Sequence, residues 1–176
     1  MLRTAALALI AALGCVRPAT ADPKVAADAF RTTCIATAHD IAKVDAIARE
    51  NKWQAHDPHI LVVPFEKRGK GMRRISAWRG ERDRVRFSVA TGDEANAFDT
   101  TTICMMLFDD AVDLTAFLRE IAGKPDAVSM QQTPQGYFGV LEIEDNRTGR
   151  LSMLFAADGD GRLIAWALAN REIARR

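Results

Sequence analysis

The sequence predicts an α+β domain: an N-terminal helix or helix pair and one further helix, packed on a mainly antiparallel sheet of about six to seven strands. Three observations carry this. Apolar residues recur at spacings of three and four between residues 24 and 52, and again between 111 and 122. Between those segments the apolar period falls to two. After the second segment, strand-like runs and polar turns alternate to the end of the chain, the pattern of a meander.

Taken in order, residues 1–21 are predicted to be a secretory signal peptide. Arg3 gives a positive start, Ala5 to Cys15 is an apolar run, and Ala19-Thr20-Ala21 precedes Asp22-Pro23. Cleavage is expected between Ala21 and Asp22, leaving residues 22–176 as a single domain. The run is shorter than the roughly 20 residues a spanning helix requires, and Arg17 and Pro18 interrupt it. The mature chain is therefore expected to have no transmembrane segment, and to be periplasmic or secreted. The alternative is a lipoprotein anchored at Cys15, which follows Gly14.

In the first helical segment Val25, Phe30, Cys34 and Ile35, then Ile41, Val44 and Ile47, share a face. His39-Asp40 divides it, with Asp40 as the second N-cap, Asn51 as the stop and Trp53 packing back on the helix. Ile60–Val63 reads as a strand, followed by a turn at Lys67–Gly71. Arg73–Trp78 and Arg84–Ala90 read as strands joined by Gly80-Glu81-Arg82-Asp83. Thr101–Phe108 is apolar at both odd and even positions, so it lies centrally with both faces covered, the helical segments being the obvious covers. Asp110 is the expected cap of a helix over Ala111–Ala122, ended by Gly123 and Pro125. Tyr137–Glu144, Leu151–Ala157 and Leu163–Ala169 complete the sheet, with turns at 145–149 and 158–161.

Without the signal, Cys34 and Cys104 are the only cysteines left, both among apolar neighbours, and an oxidising compartment predicts a disulfide between them. Phe30-x-x-x-Cys34, Trp53, Trp78-Arg79-Gly80 and Cys104 together resemble a group of small exported bacterial proteins. The resemblance covers most of the mature chain. It implies no activity, cofactor or catalytic residue.

Function is less legible. The mature chain has nearly as many basic as acidic residues, which argues against a general nucleic-acid binder. Residues 67–86 depart from that balance, holding nine basic side chains against two acidic ones. Arg74, Arg79, Arg82, Arg84 and Arg86 are candidate anion-binding residues, with Arg84 and Arg86 on one strand face and Arg74 across from them. An acidic envelope component or protein is the partner they would suit. No metal or cofactor is expected; His56 and His59, flanking Asp57-Pro58, are weak metal candidates. Asp158-Gly159-Asp160-Gly161 fails as a calcium loop, because Arg162 and Ala169 stand where an oxygen ligand and a glutamate are needed. Gly69-Lys70-Gly71 lacks phosphate-loop spacing, no serine sits in a nucleophile elbow, and the pairs Asp109-Asp110 and Glu142/Glu144 have structural explanations. The expectation is a non-enzymatic binding or accessory protein of the cell envelope. The alternatives are a hydrolase-like periplasmic enzyme or a purely structural protein.

Overall fold

The structure is a computed structural model describing residues 20–37, 40–57, 73–95, 99–123, 129–134, 136–145 and 149–172. Helix α1 (Pro23–Phe30) starts where the Asp22 carboxylate accepts from the Lys24 and Val25 N–H groups, with Pro23 in the first turn. A π-helical turn, Arg31–Ile35, extends it and carries Thr33 and Cys34 inward. Helix α2 (Ile41–Glu50) is capped by Asp40 and stops at Asn51, where the sequence places both. Helix α3 (Leu114–Ala122) begins later than expected. Its cap is Asp113, accepting from Ala116 N–H at 3.0 Å, and Ala111 and Val112 belong to a strand instead. Gly123 ends it in the left-handed conformation at φ 68°.

The strands are β1 (Thr20–Ala21), β2 (Gln54–Ala55), β3 (Arg73–Arg82), β4 (Val85–Ala95), β5 (Asp99–Val112), β6 (Ser129–Thr133), β7 (Gly136–Asp145), β8 (Gly149–Asp158) and β9 (Arg162–Glu172). They form one sheet in the order β2-β3-β4-β5-β9-β8-β7-β6. Every pairing is antiparallel except that of β1 with the end of β5. Among the described residues the count of nine exceeds the six to seven expected, because β1, β2 and β6 are short segments without readable alternation. The expected strand at 60–63 and turn at 67–71 lie outside the described residues.

The β3–β4 turn also differs from expectation. Both strands run further, and the chain reverses at Asp83-Arg84, with φ of 46° and 70°. Two positive values give the primed geometry whose twist matches antiparallel strands. Gly80 lies within β3 because the Trp53 ring occupies its missing side chain's space. A Cβ there would stand 2.8 Å from atoms of both Trp53 and Phe87.

All three described helices pack on one face of the sheet. Phe30, Phe87, Phe108, Phe117 and Phe155 are fully buried there and meet edge-on or tilted, with ring centroids 5.9–6.4 Å apart. The Ala26, Ala27 and Ala29 side chains are buried as well, small enough to let α1 lie close to its neighbours. Asp45 ties α2 to β3, accepting from Ser76 Oγ at 2.7 Å and Trp78 Nε1 at 2.9 Å. The Cys34–Cys104 disulfide joins the π turn to the central strand, with Cα atoms 5.3 Å apart. Closing a loop across 70 residues of sequence contributes up to about 4 kcal/mol in the chain-entropy view.

The expectation that helices cover both sides of β5 is therefore corrected. On the opposite face Ala77, Ala90 and Met105 form a second buried cluster, flanked by half-buried Leu107, Ile164 and Trp166, and no described helix contributes to it.

Candidate functional site

Strand register lays out the helix-free face in rows that cross the sheet. One row runs Ala77, Ala90, Met105, Trp166, Leu154, Val140. The next runs Arg79, Ser88, Leu107, Ile164, Ala156, Phe138, Gln131. Beyond Leu107 the ladder slips. While β5 goes from Leu107 to Ala111, its partner β9 goes only from Ile164 to Arg162. Such a bulge redirects the intervening side chains, here Asp109 and Asp110.

A groove of about 670 Å³ opens beside this slip, floored by Leu107, Ile164 and Ala156 and walled by Phe138, with Tyr137 also in its lining. Tyr137 and Phe138 stay 49% and 36% accessible, and Met130 of the neighbouring β6 stays 38% accessible. The rim holds Asp109, Asp158 and Arg162. Asp158 and Arg162 satisfy each other: Arg162 Nε lies 3.3 Å from one Asp158 oxygen, while the other accepts from the Asp160 and Arg162 N–H groups. That pattern closes the 158–161 segment as a tight turn, and Asp160 is a second partner of Arg162 at 3.5 Å. The groove is thus apolar along its floor with charge confined to the rim, a shape suited to an apolar or amphiphilic guest.

The five sequence-named arginines do not form the expected ladder. Arg84 sits in the turn outside β4, so it shares no strand face with Arg86. Arg74 lies in β3 beside the Arg73/Ser76 bulge, at the other end of the hairpin from Arg86, which pairs in register with Glu81. Arg86 donates to Asp110 at 2.9 Å, and that bond, with the Asp110 charge, raises its pKa above the ordinary arginine value. Arg82 turns to the helix side, 3.1 Å from Asp28 and 2.9 Å from Thr32 Oγ1. Arg79 lies 4.0 Å from Asp109. Arg79, Arg86 and Lys52 do line a shallow hollow of about 450 Å³, but Glu81 and Asp109 line it too. Arg79 and Arg86 each face an acid of β5, Asp109 and Asp110.

Among the remaining candidates, His56 is half-buried and its backbone N–H donates to the Ala77 carbonyl at 2.9 Å, while His59 lies outside the described residues. No group of three His, Cys, Asp or Glu side chains suited to a metal occurs among the described residues. Of the expected cleavage pair, Ala21 is buried against β5 and Asp22 caps α1. A chain beginning at Asp22 keeps that cap and loses β1. No described helix is long and apolar enough to cross a membrane. Sequence reasoning missed the groove because Leu107, Phe138, Ala156 and Ile164 come from four strands and each reads alone as core. Comparison with family models, with curated proteins and with solved structures finds no match.

Proposed function

We propose that this chain is a non-enzymatic binding protein of the cell envelope, and that its ligand is a small apolar or amphiphilic envelope molecule held in the groove. One observation carries the reading. Phe138 stays accessible beside the Leu107–Ile164–Ala156 floor, where exposed apolar surface costs stability unless something covers it. The charged groups at the rim hold one another in ion pairs and turn bonds, an arrangement for positioning a guest rather than transforming it. The signal-like first 21 residues and the Cys34–Cys104 bond both suit an exported, oxidised protein.

The test is titration of the exported protein with the apolar fluorophore N-phenyl-1-naphthylamine, repeated on Phe138→Ser and Ile164→Asp. The reading expects saturable binding that weakens at least tenfold in both variants, and displacement of the probe by an organic extract of the native envelope. Probe binding that is undiminished in folded variants would overturn it.

A further inference from the structure

The sheet ends at β6 on one side, and that edge differs from the other. Strand β3, near the opposite edge, carries five charged residues along its length, the kind of protection that keeps edges from pairing. Strand β6 reads Ser-Met-Gln-Gln-Thr, with no charge and no proline. Its register with β7 is continuous from Ser129↔Val140 to Thr133↔Gly136, so no bulge blunts it. Among the described residues β7 is its one neighbour, and four of its five residues are exposed. Among the described residues the large apolar side chains that remain exposed, Met130, Tyr137 and Phe138, all lie on this same β6–β7 hairpin.

We infer that β6 pairs antiparallel with β6 of a second copy of this chain, across a two-fold axis through Gln131. Charge selects the occupant. A two-fold pairing sets each residue against a residue of the same strand, and an uncharged strand meets no like charge there. Only a centre at Gln131 pairs the full strand, placing Ser129 opposite Thr133 and Met130 opposite Gln132 of the second copy. Opposed residues share a face, so the Leu107–Ile164–Ala156–Phe138–Gln131 row of each copy meets its counterpart at Gln131. The two grooves then lie along one continuous line across an extended sheet. The pairing stands independently of what the groove binds.

Directly opposed residues of an antiparallel pair have Cα atoms about 4.5–5.5 Å apart, within disulfide range. Two Ser129 residues would stand about 13 Å apart along the strand direction, beyond it. The experiment uses the full chain carrying Cys15→Ser, since Cys34 and Cys104 are bonded to each other. Sedimentation over a concentration series should show a monomer–dimer equilibrium, and Gln131→Lys should raise its dissociation constant at least tenfold. On a non-reducing gel Gln131→Cys should convert to a covalent dimer and Ser129→Cys should not. Both positions are exposed, so the variants should melt with the parent chain. A parent chain that sediments as monomer throughout, equal cross-linking at the two positions, a dimer indifferent to Gln131→Lys, or a different polypeptide captured at Gln131→Cys would each overturn the inference.

Discussion

The β3–β4 and β6–β7 hairpins stand near opposite ends of one sheet and are furnished in opposite ways. The first is dense in charge, and much of that charge is used internally: Arg86 is bonded to Asp110, and Arg82 to Asp28 and Thr32. Its inner side is packed, with the Trp53 ring against Phe87 at 5.1 Å and filling the space above Gly80. The second hairpin has an uncharged edge strand and leaves Met130, Tyr137 and Phe138 open. Arg79, Arg82 and Arg86 of a conspicuous charge run are therefore held in ion pairs within the fold, and a quiet stretch of sequence carries exposed apolar side chains. Changes in the first should register as stability, and changes in the second as binding.

The largest stability effect is expected from Trp53→Ala, which empties the space between α2 and β3. Removing a packed aromatic of this kind costs about 3 kcal/mol, read as a lower denaturant midpoint. A shift under half of that would mean Trp53 does not hold the first hairpin. Gly80→Ala comes next, at about 2 kcal/mol destabilising, because the added methyl overlaps both Trp53 and Phe87. Arg84→Gly should change the sign. Arg84 adopts φ 70°, a conformation that costs an L-residue about 1 kcal/mol and glycine almost nothing, so thermal melting should rise. The same variant removes an exposed arginine of the charge run, and probe binding should stay at the parent level. If it falls, the probe is contacting the β3–β4 hairpin and the groove is not its site.

Phe138→Ser should have the smallest effect on stability, within about 0.5 kcal/mol, since more than a third of the side chain is already accessible. Its effect belongs to binding. A large loss of stability without loss of probe affinity would reverse the roles assigned to the two hairpins.

Much of the fold was legible because periodicity records burial. The helical spacing at 24–52 and 114–122, the two-faced apolar run of β5 and the Asp40, Asn51 and Gly123 boundaries all follow from local rules. Three features were not local. Ala111 and Val112 satisfy helix spacing, yet β1 and Gly161 draw them into the sheet. Gly80 looks like a turn residue, but the ring of Trp53 accounts for it. That every described helix would choose one face of β5 depended on which neighbours the other strands presented. The groove was illegible for the same reason: its floor exists only once Leu107, Ile164 and Ala156 are in register. The arginines were visible from the start, but their partners Asp28, Asp109 and Asp110 were distant in sequence and hid how far they were already neutralised.

The most direct measurement is an amide chemical-shift map of the protein titrated with N-phenyl-1-naphthylamine. The account predicts that the largest perturbations fall on Leu107, Tyr137, Phe138, Ala156 and Ile164, while Arg79, Arg84 and Arg86 move little. Perturbations concentrated on the β3–β4 hairpin, with the groove residues unmoved, would contradict it.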